Sequence, residues 1–290
     1  MNSPVPRTNG SSRSIGDILV ATGRLSSEDA VRVAQRQQKD NVQFGEAAIA
    51  LKVLTKDDID FALSKQFDYS YLSDTDLSLS PDLVAAYKPF SRVGENLRAV
   101  RSQLMLRWFG TDPSHKVLAV VSAGRSDGKS FLAGNLAVVF AQQGQRTLLI
   151  DGDLRSQPGR GQHGMFKLGK NAGLSGVLAG RAGLEVAQLV PGLPGLAILS
   201  SGAVPPNPQE LLGRAAFGDL LKIASVQFDI IIVDTPSSED FADAEIIASR
   251  AGAALMVARK NQSMLPQAVQ LARRLQEGGV ALVGSVLNDA

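Results

Sequence analysis

The chain has 290 residues, of which 20% are charged and 44% hydrophobic, and its formal net charge is +2. This composition excludes a mainly disordered chain and allows one large domain or a medium domain with a smaller one. The charge does not support nucleic-acid binding, and the lack of cysteine excludes disulfide bonds and cysteine-ligated metal sites.

Residues 1–13 form a polar segment that we expect to be a disordered lead. The segment has no apolar core of the kind that a secretory signal contains. None of the apolar runs in the chain reaches the roughly 18 residues needed to cross a membrane. Together with the lack of cysteine, these features favour a cytoplasmic location.

Residues 14–72 contain a duplication, IGDILVATGRLSSEDAVRVAQRQQ and FGEAAIALKVLTKDDIDFALSKQF, in which Ser26 aligns with Thr55. Each copy predicts a short amphipathic helix, a turn, and a second helix that Ser26 or Thr55 caps. We predict that this region is a duplicated helical docking module. Residues 73–90, rich in Ser, Asp and Pro, are predicted to be a linker.

The remaining residues, 91–290, begin with a helix near Ser91 and then alternate apolar runs with helical patterns. The apolar runs are VLAVVS, TLLIDGD, LAILSS, DIIIVDTP, AALMVAR and ALVGSVLN. Such runs between helices predict a mostly parallel sheet covered on both faces. The expected fold class is α/β, preceded by a small all-α N-terminal domain.

The segment AVVSAGRSDGKSFLAGNLAVV joins a strand to a helix through a loop that ends in Gly128, Lys129 and Ser130. Main-chain N–H groups at such a junction bind phosphate. Lys129 would reach the β- and γ-phosphates and Ser130 would bind Mg²⁺. Ala123 replaces the first glycine of the standard pattern, so an ordinary helix start is the alternative. The predicted nucleotide-binding residues of the loop are Gly124, Arg125, Ser126, Asp127, Gly128, Lys129, Ser130 and Phe131.

Carboxylates stand at the ends of two later strands. Asp151 and Asp153 lie in TLLIDGDLR, and Asp234 lies in FDIIIVDTPSS. An open parallel sheet binds its ligand at these strand ends, although solvated acidic turns are also common there. Together with Lys129 and Ser130, the three carboxylates predict a P-loop NTPase site for magnesium-bound nucleotide and phosphoryl transfer.

These segments, with GLSGVL, SSGAVPPNPQELL and the terminal GSVLN, resemble the bacterial tyrosine kinases of capsular and exopolysaccharide biosynthesis. That family belongs to the deviant P-loop group that also contains cell-division and plasmid-partition ATPases. The resemblance covers residues 91–290. The signature lysine of the partition-type loop is absent, which favours the kinase branch.

The resemblance implies ATP and Mg²⁺ as cofactors and transfer of the γ-phosphoryl group to a tyrosine. It implies that Lys129, Asp151, Asp153 and Asp234 are catalytic. Asp151 would contact Mg²⁺ and accept the proton of the attacking hydroxyl, with Asp153 supporting it. Ser130 and Asp234 would complete the metal site, and Asn288 would lie near the adenine.

The segment ENLRAVR fits the family's E-x-x-R-x-x-R pattern at Glu95, Arg98 and Arg101. The spacing sets these residues on one helix face, where they could pair with a neighbouring subunit or with one another. Within the resemblance we expect contacts of a ring-forming homo-oligomer. The resemblance also implies activation by a separate, membrane-bound chain-length regulator, which would hold the chain at the inner membrane.

Family kinases carry a C-terminal tyrosine cluster, whereas the tyrosines here are Tyr69, Tyr71 and Tyr87. We expect the acceptor tyrosines in the N-terminal module and linker or on a partner protein. Alternatively, the chain is a non-kinase ATPase that acts as an assembly switch in polysaccharide export.

The duplicated module resembles the N-terminal domain of type II secretion and pilus ATPases, some of which bind cyclic di-GMP through paired arginines. Ser14 and Gln43 occupy the arginine positions here. Neither side chain can stack on guanine or clamp a phosphate, so protein docking is the favoured role. A pure binding module with a vestigial P-loop domain is the remaining alternative.

Overall fold

The computed structural model describes residues 14–66, 71–72, 76–157, 159–239 and 241–289. The chain divides into two units, Met1–Ser70 and Tyr71–Ala290. Over the described residues, the first unit is helical and the second contains a sheet covered by helices. None of the described helices has the length and apolar character required to span a bilayer.

The N-terminal unit contains the two predicted helical pairs. Its helices are α1 (Ile15–Ala21), α2 (Ser27–Asp40), α3 (Phe44–Ala50) and α4 (Lys56–Gln66). Ser26 and Thr55 accept hydrogen bonds from main-chain N–H groups three residues ahead, as the sequence predicted. Helix α1 packs on α4, and α2 packs on α3. The two copies therefore share one core, because a single pair is too small to bury its apolar face.

The second unit is built on a seven-stranded sheet over its described residues, in the order β3-β4-β2-β5-β1-β6-β7. The strands are β1 (Val117–Val121), β2 (Thr147–Asp151), β3 (Gln188–Leu189), β4 (Leu196–Leu199), β5 (Ile230–Asp234), β6 (Ala253–Arg259) and β7 (Ala281–Asn288). All neighbours run parallel except β3 and β4. The predicted α/β class is confirmed. Strand β3 was not predicted because two residues give no periodic pattern.

Helices cover both faces of this sheet and form two buried clusters with it. The helices are α5 (Val84–Tyr87), α6 (Arg92–Leu104), α7 (Lys129–Ala141), α8 (Gly161–Met165), α9 (Gly173–Leu178), α10 (Pro208–Gly213), α11 (Ala215–Gln227), α12 (Asp243–Ala251) and α13 (Leu265–Glu277). Helix α6 continues into a π-helical turn, Met105–Phe109, and a 3₁₀ turn spans Leu184–Val186. Helix α7 is apolar nearly all round because it packs against the sheet, α5 and α6.

The segment that we predicted to be a linker packs into the α/β unit at its described residues, 76–90. Leu79 and Leu83 are buried in the cluster that contains α7. The Asn135 side chain accepts a hydrogen bond from Ala85 N at 2.8 Å and donates one to the Asp82 carbonyl at 2.9 Å. The segment's Ser and Asp residues suggested a solvated linker, whereas its leucines and alanines supply core contacts that composition alone did not reveal.

Strand order brings the predicted site residues together. Strand β5 lies between β1 and β2, and Asp234 pairs in register with both Val120 and Asp151. The phosphate-loop candidate, which follows β1, therefore starts beside the two aspartates. This arrangement follows from parallel strands, whose carboxyl ends meet at one edge.

Candidate active site

The loop between β1 and α7 is held in a backbone form that requires glycine. Gly128 begins α7 with φ at +98°, and a Cβ at this position would overlap the side-chain amide of Asn288. The Asn288 Nδ2 group donates to the Asp127 carbonyl at 3.2 Å. Asn288, predicted to lie near the adenine, thus contacts the loop from the end of β7.

Lys129 is folded back across the loop. Its side chain is buried, and Nζ donates to Ser122 Oγ at 2.8 Å and to the Gly124 carbonyl at 3.4 Å. Burial lowers the pKa of Lys129, and the charges of Asp234 and Asp127 oppose that shift. The ammonium group is therefore enclosed with carboxylates and oriented along the phosphate-binding loop.

Asp127 braces the loop from within. Its carboxylate accepts hydrogen bonds from Gly124 N at 3.1 Å and from the Ser263 hydroxyl at 2.7 Å. The hydrogen bond from Ser263 fixes the loop to the turn that follows β6. Asp127 therefore shapes the loop, and its oxygens are already engaged by protein donors. Two other predicted loop residues are more exposed to solvent than Asp127. Arg125 is exposed, with its Nε 3.8 Å from Glu239 Oε2, and Phe131 is half-buried.

Asp151 and Asp234 form a buried carboxylate pair at the end of β2 and β5. Burial raises the pKa of Asp151 well above its usual value, and the charges of Asp234 and Asp153 add to the rise. Burial also raises the pKa of Asp234, against the hydrogen bonds from Gln162 and Ser130. A buried pair of this kind favours a bound cation, which would neutralise both groups.

Asp153 is engaged by its own turn. Its carboxylate accepts hydrogen bonds from Arg155 N at 3.0 Å and from the Ser156 hydroxyl at 2.6 Å. The Asp153 main chain in turn donates to Asp151 at 3.3 Å. These contacts fix the geometry of the turn after β2 and hold the Asp151 carboxylate in place.

Gln162 is a site residue that sequence reasoning missed. Its Nε2 donates to Asp234 Oδ2 at 2.8 Å and to the Ser130 carbonyl at 3.0 Å. Its main-chain N–H donates to Asp151 at 3.2 Å. One residue of α8 therefore joins both aspartates to the phosphate loop. A lone glutamine in a Gly-rich stretch carries no sequence signal for this role.

The oxygen atoms of Ser130, Asp151 and Asp234 are suitable ligands for Mg²⁺. Within the described part of the chain, Asp234 Oδ1 is buried without a hydrogen-bond partner, and Asp234 pairs in register with Asp151. The described residues hold no cluster of three or more His, Cys, Asp or Glu side chains suited to a metal. Mg²⁺ does not require such a cluster, because it binds through one or two carboxylates, substrate phosphates and water.

The three residues predicted to contact a neighbouring subunit lie on α6, and two of them contact their own unit. Glu95 pairs with Arg98, which also donates to the Pro89 carbonyl at 2.6 Å. Arg101 donates to the Val139 carbonyl at 3.1 Å. These contacts match the internal pairing that we considered as the alternative, and they leave Glu95 as the most exposed of the three.

The described tyrosines and the predicted second-messenger positions have structural roles. The Tyr87 hydroxyl exchanges hydrogen bonds with the main chain of Leu79, and Tyr71 contacts Phe90. Tyr69 lies outside the described residues. Ser14 and Gln43 precede α1 and α3 as N-cap residues. Cyclic di-GMP binding stays a prediction.

Comparison with known proteins decides the family. No protein-family model matches the chain. The chain is 34% identical over 207 residues to the tyrosine-protein kinase YwqD of Bacillus subtilis (strain 168), a match that covers 71% of this chain and 85% of that relative. This chain belongs to the bacterial tyrosine-protein kinase family. The resemblance inferred from its motifs is confirmed.

A second relative is matched over only part of its length. The tyrosine-protein kinase etk of Escherichia coli (strain K12) is 34% identical over 206 residues, which are 71% of this chain. The chain spans only 28% of that relative's length. The solved kinase domain of Escherichia coli tyrosine kinase ETK is similar with a TM-score of 0.67 and 32% identity, covering 77% of this chain and 86% of that one. The nucleotide-binding P-loop fold of the family is thus present here.

Proposed function

We propose that this bacterial tyrosine-protein kinase homologue transfers the γ-phosphoryl group of ATP to a tyrosine hydroxyl. The tyrosine oxygen forms a bond to the γ-phosphorus, and the bond from that phosphorus to its bridging oxygen breaks. ADP leaves with the electron pair, and the hydroxyl proton passes to a carboxylate. The observation that carries the proposal is the Gln162 side chain, whose amide donates to both Asp234 and the Ser130 carbonyl and so joins the phosphate loop to the carboxylate pair.

Main-chain N–H groups of residues 124–130 and the Lys129 ammonium bind and orient the phosphates, and Lys129 stabilises charge that grows in the transition state. Ser130, Asp151 and Asp234 would hold Mg²⁺, which supplies further charge neutralisation when bound. Asp151 would accept the tyrosine proton as the general base. Asp153 supports Asp151 through the turn that they share.

The acceptor tyrosines belong to another copy of the chain or to a partner protein. The hydrogen bonds between the Tyr87 hydroxyl and Leu79 argue against Tyr87 as an acceptor in either copy, because an acceptor hydroxyl must be free to enter a kinase site. The biological output is control of exopolysaccharide polymerisation, export and chain length. In this proposal a membrane-bound chain-length regulator activates the cytoplasmic chain and holds it at the inner membrane.

Association between copies runs through the α6 face. Glu95 is 65% exposed at its side chain and is available to a basic group of a neighbouring subunit. Arg98 and Arg101 support that face by fixing α6 to its own unit through Pro89 and Val139. Loss of assembly in a Glu95→Ala variant, measured by light scattering, tests this role.

Radiolabelled ATP tests the kinase proposal directly. The full chain is incubated with MgATP and a random glutamate–tyrosine copolymer, and phosphotyrosine and free phosphate are both measured. We expect label on tyrosine and a loss on the order of 10²-fold or more in Lys129→Met. Lys222→Met, which removes an exposed lysine from α11, is the matched control and retains activity. Release of free phosphate without phosphotyrosine, even with the membrane partner present, would instead support the non-kinase ATPase switch.

A further inference from the structure

The cavity beside the phosphate loop has two unlike walls. It encloses about 450 Å³, and Lys129, Ser130 and Asp153 line its polar side. Phe241 and Pro236 line another part of the same cavity. Phosphate binding explains why one side of the cavity is polar, but it does not explain the apolar wall. An apolar wall at this position suits a substrate group that is neither phosphate nor metal.

Phe241 is the large apolar side chain that lines this wall. It is 42% exposed although it is a large hydrophobic side chain. Burying such a ring on folding would have been favourable, because burial removes its apolar surface from water. A ring left partly exposed at the edge of a binding cavity is therefore available to pack against a ligand.

Arg155 holds the ring in place. Its guanidinium group lies 3.6 Å from the ring centroid of Phe241. The same guanidinium donates from Nε and from a terminal nitrogen to the two oxygens of Asp243, at 2.6 and 3.1 Å. Asp243 is fully buried at the start of α12. Phe241 thus rests on an arginine whose orientation the fold has already fixed.

These contacts argue against phosphate binding as the main task of Arg155. An arginine that clamps phosphate presents a bidentate edge to it, whereas here that edge is used by Asp243 and the planar face by Phe241. Arg155 is better suited to orient the ring than to bind the nucleotide. We call Phe241 and Arg155 the aromatic platform.

We propose that the aromatic platform binds the phenol ring of the acceptor tyrosine, an inference that rests on the proposed kinase function. Aromatic rings pack favourably on one another in edge-to-face or offset geometry. A ring packed on Phe241 directs a para hydroxyl toward the polar side of the cavity. Ser and Thr carry their hydroxyls beside the backbone and gain nothing from such a platform. The platform therefore selects tyrosine over shorter hydroxyl residues.

The test separates acceptor binding from nucleotide binding. Wild-type protein, Phe241→Leu and Phe241→Trp are assayed with MgATP and the glutamate–tyrosine copolymer, and MgADP affinity is measured by calorimetry. Leu keeps apolar volume but removes the ring, so the variant should fold. We expect KM for the copolymer to rise about 2- to 12-fold in Phe241→Leu, with MgADP affinity unchanged and KM restored in Phe241→Trp.

Phe90→Leu is the matched control, because Phe90 is 38% exposed and does not line the cavity. We expect no change in KM for this variant. An unchanged KM in Phe241→Leu, or an equal rise in Phe90→Leu, would overturn the aromatic platform while the kinase activity stands. Absence of phosphotyrosine with wild-type protein, even when the membrane-bound regulator is added, would overturn the proposed function itself, and the platform with it.

Discussion

The Gln162 side-chain amide donates to Asp234 across 2.8 Å, and it joins helix α8 to the end of β5. A hydrogen bond to the ionised form of a carboxylate favours that form. The bond therefore lowers the pKa of Asp234 against the rise that burial causes. Gln162 keeps the carboxylate closer to the charged state that a divalent cation requires.

Replacing Gln162 with leucine removes this donor, so the pKa of Asp234 should rise further. The magnesium-dependent affinity for ADP would then decline at a higher pH than in wild-type protein as the solution is acidified. Calorimetric titration between about pH 5 and 8 measures the shift. Gln188→Leu, at a half-buried glutamine of β3 whose amide bonds to the Gly169 carbonyl, should leave the profile unchanged. Identical profiles for wild-type protein and Gln162→Leu would contradict the role.

The raised pKa of Asp151 makes the free energy of unfolding depend on pH. Its pKa is raised in the folded state, so the folded protein binds the proton more tightly than the unfolded chain does. The contribution of Asp151 to the free energy of unfolding is therefore greatest at low pH. It declines as pH rises from the ordinary value of 3.8 through the raised value.

Asp151→Asn should remove the loss of stability that ionisation of the buried Asp151 carboxyl causes at neutral pH. We expect the ligand-free variant to be more stable than wild-type protein by about 1 kcal/mol at pH 7 and to lose kinase activity. Urea denaturation at pH 5 and 7 measures the difference. The exposed Asp112, whose pKa is lowered by Ser114, provides the control Asp112→Asn, which should give no such gain. Lower stability of Asp151→Asn at pH 7 would contradict the assignment.

Gly128 and Gly144 offer a matched pair of glycine substitutions. Both have positive φ, +98° and +85°, so alanine is strained at either position. Of these two positions, a Cβ at Gly128 would overlap the side chain of Asn288, whereas a Cβ at Gly144 would meet none of the described residues within 4 Å. Gly144→Ala should cost about 1 kcal/mol and retain nucleotide binding. Gly128→Ala should cost more and abolish binding, as fluorescence titration with a labelled nucleotide would measure.

Asn135 anchors the segment before α6 to helix α7. Asn135→Leu leaves the Ala85 N–H and the Asp82 carbonyl without their partner, and we expect a loss of about 3 kcal/mol in the free energy of unfolding. Chemical denaturation measures it. The exposed Asn96 of α6 provides the control Asn96→Leu, for which a change within about 0.5 kcal/mol is expected. Equal effects in the two variants would show that the segment is not held by Asn135.

Much of the fold could be predicted from the sequence. The strand runs, the helical duplication and the loop ending in Gly128, Lys129 and Ser130 were all correctly located, because each is expressed within a short stretch of chain. The positions of Asp151 and Asp234 also followed, since parallel strands end at a common edge. What these residues do in the reaction stays a prediction.

The contacts between residues that are far apart in the sequence were decided by the tertiary structure alone. Gln162 meets Asp234 from 72 positions away, and Arg155 meets Asp243 from 88 positions away. The inward contacts of Arg98 and Arg101 and the packing of residues 76–90 likewise depend on partners that composition does not reveal. Periodicity and motifs report which face of an element is apolar and which turn binds an anion. The pairing of polar side chains between distant elements is fixed only when packing brings those elements together, because each hydrogen bond needs its partner within about 3 Å.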